Sequence, residues 1–213
     1  YMGESEPATQ STVIINESGS TDDVVLRVTL RRAAAKIIVT IKPGSKVVFT
    51  PELIAQSQGY LMRNMPTRTT LVEEGGYPLT EGGARPYWAS TTISQTPYCT
   101  LIEDSDGIYN LHITAYCYSH TWDSSEAFEK GTSLVVMIPI LYKESDDSTP
   151  IEYINNYYQI SFSKMEGSVG NSYHRIKRNT LYDLRINLNA PGAEDYSAPE
   201  NIEALQYFTT PWQ

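Results

Sequence analysis

Apolar and polar positions alternate with a period of two along many short stretches of this chain, and polar, Gly-rich and Pro-rich turns separate those stretches. Such a pattern predicts half-buried β-strands and an all-β, antiparallel sandwich class. The predicted strands cover residues 12–16, 24–30, 35–42, 46–50, 53–63, 68–73, 109–118, 133–142, 152–163, 174–189 and 202–208. In the clearest, RIKRNTLYDLRINLN, Thr180, Tyr182, Leu184, Ile186 and Leu188 alternate with Leu181, Asp183, Arg185, Asn187 and Asn189. One face belongs in a core and the other is mostly wet. The stretch SLVVMIPIL is apolar on both faces and is predicted to lie centrally, although Pro139 removes an amide donor and draws that end toward an edge.

One stretch breaks its own rhythm. In VVLRVTLRRAAAKIIVTI the even positions Val24, Leu26, Val28 and Leu30 are apolar, and then the odd positions Ala33, Ala35, Ile37, Val39 and Ile41 take over. A slip of one residue moves every side chain to the opposite face, so the segment must bend at Arg31 and Arg32. The preferred reading is a β-bulge or a corner where the chain switches sheets. A helical turn from Leu30 to Lys36 is the alternative that the alanines suggest, and the flanking Val and Ile runs argue against a long one. A third reading makes Arg31 and Arg32 an exposed dibasic site for an arginine-specific protease.

The run EEGGYPLTEGGARP has no periodicity and reads as a linker or long loop. The expected organisation is an N-terminal β-sandwich domain at 1–75, a linker at 76–86 and a C-terminal β-sandwich domain at 87–213. The first would be small for a complete sandwich, which points to missing upstream strands or to a strand supplied by another chain.

Charge narrows the partners. The 213 residues carry 16 Lys plus Arg against 25 Asp plus Glu, a net charge of -9 that repels a phosphate backbone, so no nucleic-acid partner is expected. No run reaches the length of a membrane span, and the opening YMGESEPATQ has no signal-peptide pattern. The chain is therefore expected to be a processed or excised form, with any export signal or lipid-attachment segment outside it. Of the two cysteines, Cys117 shares a strand face with Leu111, Ile113 and Ala115 and reads as a buried free thiol. The alternative is a cross-strand disulfide with Cys99 in an oxidising compartment. Sixteen tyrosines suit half-buried pleated surfaces, and a Tyr-rich face also suits stacking on sugars.

Candidate chemistry is sparse. His112, His120 and His174 lack zinc-site spacing, and there is no GxSxG, HExxH, P-loop or dinucleotide glycine pattern. Glu103-Asp104-Ser105-Asp106-Gly107 opens like a calcium loop without its later ligands and reads better as a hairpin turn. Asp146 and Asp147 sit in a polar loop, without the burial that tunes a general acid, and no pair of buried carboxylates suggests a glycoside hydrolase. The expectation is no enzyme, no cofactor and no metal.

The order of several motifs resembles the fimbrillins, the type V pilins of Bacteroidetes. VTLRRAAAKIIVTI is similar to their N-terminal-domain strand, and QSQGYLMRNMPTRTTLV to a strand ending in an Asn-x-Pro turn. LHITAYCYSH, TSLVVMIPILY, NNYYQISF and YHRIKRNTLYDLRINLNAPG follow the order of their C-terminal-domain strands, with Arg178, Asn179 and Tyr182 fitting an Arg-Asn-x-x-Tyr signature. LQYFTTPWQ looks like the last strand, which closes near a tryptophan. The chain has YCYSH where the family often has Tyr-x-x-Glu-Asn. The resemblance implies two transthyretin-like sandwich domains, the first possibly incomplete, and export as a lipoprotein to the outer membrane of a Gram-negative bacterium. It further implies assembly by strand exchange after an arginine-specific protease removes an N-terminal strand.

The expected function is thus a non-enzymatic subunit of a cell-surface fimbria or pilus, involved in adhesion. Its partners would be other pilin subunits, in a homo- or heteropolymer, and host or bacterial surface glycans or proteins. The candidate donor strand is IEALQYFTTPWQ, anchored by Ile202, Leu205, Tyr207 and Trp212; alternatively that strand completes its own sheet. Asp147-Ser148-Thr149 resembles the O-glycosylation acceptor of Bacteroidetes surface proteins, with Ser148 as acceptor. The runner-up function is a glycan-binding surface lipoprotein module.

Overall fold

A computed structural model describes residues 3–5, 30–56, 59–66, 87–88, 99–122, 131–162, 175–202 and 206–212. Its strands begin with β1 (Gly3–Ser5), β2 (Leu30–Arg32), β3 (Ala34–Pro43), β4 (Val47–Val48), β5 (Tyr60–Arg63) and β6 (Tyr87–Trp88). They continue with β7 (Cys99–Glu103), β8 (Tyr109–Tyr118), β9 (His120–Thr121), β10 (Ser133–Met137), β11 (Ile140–Tyr142) and β12 (Ile151–Tyr153). The series ends with β13 (Tyr157–Ser161), β14 (Arg175–Ile176), β15 (Thr180–Leu188), β16 (Glu200–Ile202) and β17 (Gln206–Pro211).

The chain is all-β apart from one short helix, α1 (Pro51–Ile54). Two five-stranded sheets, ordered β17-β15-β3-β8-β7 and β16-β13-β10-β5-β6, supply the inward side chains of one apolar cluster. Ile37, Val39, Ile113 and Leu184 from the first sheet and Leu134, Val136 and Ile160 from the second are all fully buried in it. The alternation in β15 behaves as predicted, with Tyr182, Leu184, Ile186 and Leu188 inward. All five residues of β10 are buried, and it lies in the centre of its sheet. After Met137 the strand is interrupted, and β11 resumes at Ile140 in a three-stranded sheet ordered β12-β11-β4.

Several expectations need correcting. Two pairs are parallel, β15 with β3 and β13 with β16, so the sandwich is mixed rather than purely antiparallel. Strands on the two sides of 76–86 pair with one another: β3 lies between β8 and β15, and β5 pairs with β10. Within its sheet β3 is flanked by strands that follow residue 87, and Val47, Phe49, Ile54 and Met62 from before that stretch lie in the same apolar cluster as Leu134, Val136 and Leu184 from after it, so strands from both sides share one core; the proposed linker itself lies outside the described residues. Residues 53 and 54, predicted to open a strand, belong instead to the helix at 51–54, because Thr50 caps the turn by accepting from the Leu53 amide at 3.3 Å and Pro51 opens it. The predicted strand 152–163 is broken between β12 and β13. There the buried Asn156 donates to the Ile138 carbonyl and to the Tyr158 hydroxyl and accepts from the Gly192 amide. The predicted strands at 12–16 and 68–73, and most of 24–30, lie outside the described residues.

The parity slip falls at Ala33, where the chain bends between β2, paired with β1, and β3, paired with β8 and β15. The chain changes sheets there.

The cross-strand disulfide fails on register. Cys99 stands opposite Ile113, which puts Cys117 four residues along the partner strand, about 13 Å at the rise of a strand and far beyond the ~7 Å limit of a bridge. Cys117 is a free, buried thiol, and burial pushes its pKa up to about 12.

Candidate functional site

The turn that launches β15 organises the seat of the C-terminal strand. Asn179 adopts a left-handed φ of 53°, a conformation that asparagine tolerates better than most residues. This turns three of its polar groups outward in useful directions. Its amide donates to the Ala34 carbonyl at 3.0 Å, its carbonyl accepts from the Trp212 amide at 2.8 Å, and its Oδ1 accepts from the Arg32 amide at 3.3 Å. Tyr182, fully buried, accepts from the Lys177 amide at 2.8 Å and fixes the turn from below. The Arg178, Asn179 and Tyr182 pattern noted in the sequence therefore builds the entrance to β15 and the anchorage of the chain's last described residues.

β17 lies antiparallel along β15 at the edge of the sheet, from Thr180 opposite Pro211 to Arg185 opposite Gln206. Its side chains at Gln206, Phe208, Thr209, Thr210 and Pro211 are all exposed, with Phe208 49% accessible. Main-chain pairing therefore holds this strand with little help from burial of those side chains. Its far end is clamped. The Arg32 guanidinium donates from Nη1 to the Trp212 carbonyl at 2.6 Å and lies 4.3 Å from the centre of the indole ring. Tyr116 tilts against that indole at 5.6 Å between ring centres. A charged donor at this length is stronger than a neutral one, and the cation over the ring adds to it.

The predicted site residues separate into three groups. Trp212 is clamped as described, and Tyr207 stands opposite Leu184 in the β15–β17 register. Ile202 belongs to β16, which pairs with β13 in the other sheet, and it packs against the core; Leu205 lies outside the described residues. The C-terminal segment thus crosses from one sheet to the other. Arg31 and Arg32 sit in β2, opposite Glu4 and Gly3. Ser148 closes a tight turn: its hydroxyl donates to the Ser145 carbonyl at 2.8 Å and accepts from the Ser145 amide at 3.0 Å. A sugar on Ser148 Oγ would displace the proton that makes the first of these bonds.

Arg32 as the partner of Trp212 escaped sequence reasoning, because the two are 180 residues apart. The role of Tyr116, on the exposed face of β8, escaped it for the same reason.

Among the described residues no group of three or more His, Cys, Asp or Glu is placed to hold a metal ion. Asp104 is the nucleus of the β7–β8 hairpin: Oδ1 accepts from the Asp106 and Ile108 amides and Oδ2 from the Asn110 side chain. Those bonds hold its pKa below the usual carboxylate range. Gly107, with φ at 77°, completes the turn. His120 is buried, with Nδ1 2.7 Å from Thr132 Oγ1, whose own proton goes to the Asn64 carbonyl. Burial lowers the His120 pKa to about 4, so its ring is neutral at pH 7. An open cleft of about 630 Å³ at the other end of the sandwich is lined by Val47, Phe49, Ile108 and Tyr109 among others, with no Asp, Glu, His, Lys or Arg among its described lining residues. Among the described residues no helix is long and apolar enough to cross a membrane.

The fold defines a class: a mixed two-sheet β-sandwich with an exposed, clamped C-terminal edge strand. No family model matches the chain, and no curated protein does. It is similar to solved structures of fimbrial and adhesion proteins, the group named by the sequence resemblance. One is the tip fimbrial protein Mfa3 from Porphyromonas gingivalis, with a C-terminal truncation, at a TM-score of 0.46 and 13% identity, covering 86% of this chain and 52% of that one. A second is a putative cell adhesion protein from Parabacteroides distasonis, at 0.49 and 16%, again covering 86% and 52%. A third is a fimbrilin from P. gingivalis W83, at 0.39 and 15%, covering 93% and 64%. The chain spans about half to two thirds of the length of these structures.

Proposed function

We propose that the chain is a non-enzymatic structural subunit of a cell-surface fimbria, joined to neighbouring pilin subunits by exchange of its C-terminal strand, with adhesion as the wider role. The order of fimbrillin-like motifs in the sequence supports this reading. The observation that carries it is β17, an edge strand whose described side chains are all exposed while its main chain pairs with β15 over six registered positions. A copy of β17 from a neighbouring subunit restores the same main-chain pairs, so exchange costs little in bonding and links two molecules. Because donor and acceptor surfaces differ, the contact is head-to-tail and propagates as a filament. Removal of an N-terminal segment by an arginine-specific protease at Arg31 or Arg32, and attachment to the outer membrane through a lipid, complete the proposal. The polymer is built of the same or of related subunits.

An unboiled denaturing gel of protease-treated protein, beside a variant lacking residues 206–213, tests it. A ladder of detergent-resistant oligomers that disappears in the truncated variant is expected. A single monomer band in both lanes would defeat strand exchange through β17.

A second reading, a glycan-binding surface module, draws on the accessible rings of Tyr116 and Phe208. It has less support at Trp212, whose indole is already engaged by Arg32 and Tyr116. A broad glycan array that stays blank would remove it.

A further inference from the structure

The outer face of the β17-β15-β3-β8-β7 sheet is built from the residues that the inward alternation excludes. Because Ile37, Val39 and Ile41 point into the core, Lys36, Thr40 and Lys42 of β3 point out, and the same alternation turns out Asp183 and Arg185 of β15 and His112 and Tyr116 of β8. Register sets them side by side. Lys36 stands opposite Tyr116, Thr40 lies between Arg185 and His112, and Lys42 is beside Asn187.

This face opposes the charge of the whole chain. Lys36, Lys42 and Arg185 stand on it against the carboxylate of Asp183, in a protein of net charge -9. Asp183 lies 3.8 Å from Arg185, and among the described residues no acid is at ion-pair distance from Lys36 or Lys42. Asp104, at the margin near Lys42, is taken up by the amides of its own turn. His112, 3.4 Å from the Thr40 hydroxyl, is held below its usual pKa by burial and adds no charge at neutral pH. Tyr116, 42% exposed, gives the same face an aromatic ring.

The spacing of the cations selects the ligand. At the rise of a strand Lys36 and Lys42 are about 20 Å apart, and the Arg185 row falls about 7 Å short of Lys42. Cations this sparse do not match a nucleic-acid duplex, which carries a charge every ~1.7 Å. They match a chain in which uncharged groups separate the anions. We infer that this sheet face binds an acidic polysaccharide, with carboxylates at Lys36, Arg185 and Lys42 and a sugar ring against Tyr116. The guanidinium of Arg185 offers a carboxylate two parallel donors, and the lysines act as point charges. Thr40 and Asn187, between and beside the cations, offer a hydroxyl and an amide to sugar hydroxyls. The inference rests on the glycan-binding reading given above and specifies the face and the charge of the ligand. In a filament the face recurs with every subunit, so weak single contacts add as avidity.

Calorimetric titration of the full chain with hyaluronan fragments, whose carboxylates fall on alternate sugars, tests it, with neutral dextran and single-stranded DNA as controls. Hyaluronan binding that weakens as salt rises, with no binding of dextran, is expected. The double variant Lys36→Ala, Lys42→Ala should weaken binding about five- to tenfold, and Tyr116→Ala about threefold or more. Asp183→Asn should act in the opposite sense and tighten binding about two- to fivefold, because it removes the repelling carboxylate and releases Arg185. A merely structural role for these residues would not reverse sign in this way. Absence of hyaluronan binding by the parent chain would overturn the inference, as would unchanged affinity in the double lysine variant. DNA bound as tightly as hyaluronan would overturn it by showing a general polyanion surface. Dextran bound as tightly as hyaluronan would overturn the inference and leave glycan binding itself standing, whereas a glycan array blank throughout would remove both.

Discussion

β15 has two neighbours, and they are held in different ways. On one side β3 pairs with it over eight registered positions and buries Ile37, Val39 and Ile41 completely beneath the opposite sheet. On the other side β17 pairs over six positions and leaves its described side chains in solvent. Main-chain hydrogen bonds contribute only about 0.5–1.5 kcal/mol each net of water, whereas full burial of an aliphatic side chain contributes about 1.5–3 kcal/mol. β3 is therefore part of the core, and β17 is an attachment.

Substitutions should sharpen this contrast. The largest effect is expected on the β3 side: Ile37→Ala should cost about 2–5 kcal/mol, read as a lowered thermal midpoint of the whole sandwich. Next comes His120. Its folded pKa of about 4 lies below the ordinary 6.5, so the unfolded chain binds the extra proton. Stability is then complete above pH 6.5 and falls as the pH drops toward 4, by on the order of 2–3 kcal/mol, in denaturant titrations at stepped pH. His120→Gln should flatten that slope. Replacing Asn179 by valine should cost about 1–3 kcal/mol, because a β-branched residue is strained at a positive φ and cannot accept from the Arg32 amide. Here the β17 amides should lose protection before the core does. The smallest effect belongs to the β17 side: Phe208→Ser should change stability by no more than about 0.5 kcal/mol, despite removing a large aromatic ring. A loss of several kcal/mol there would mean that β17 is part of the core after all.

The parts of this fold that were legible in sequence are those where burial alone sets the pattern. β15 and β8 alternate because one face of each meets the core, and β10 is apolar on both faces from Leu134 to Met137 because both are covered. The slip after Arg32 was legible for the same reason, since a change of sheet exchanges the buried face. What stayed hidden depends on pairing over long sequence separations. The Gly- and Pro-rich stretch at 73–86 looks like a boundary, but β3 finds its neighbours 70 to 145 residues later. No local signal reports such pairing. The stretch 202–208 reads as one strand, and the crossing from β16 to β17 leaves no mark in the pattern because the described side chains of β17 are exposed on alternate and adjacent positions alike. The Arg32–Trp212 clamp is a meeting of chain ends, and composition carries no trace of it. Thr50-Pro51-Glu52 did carry a helix start, which the surrounding Val and Ile residues masked.

The most direct test of the central claim is native-state hydrogen exchange on the unmodified chain, resolved for the two flanks of β15. The account predicts that the 206–212 amides exchange at least about a hundredfold faster than those of β3, through a local opening that leaves β3 and β8 protected. Exchange of both flanks at one common rate, governed by global unfolding, would contradict it and would make β17 a fixed member of the sandwich.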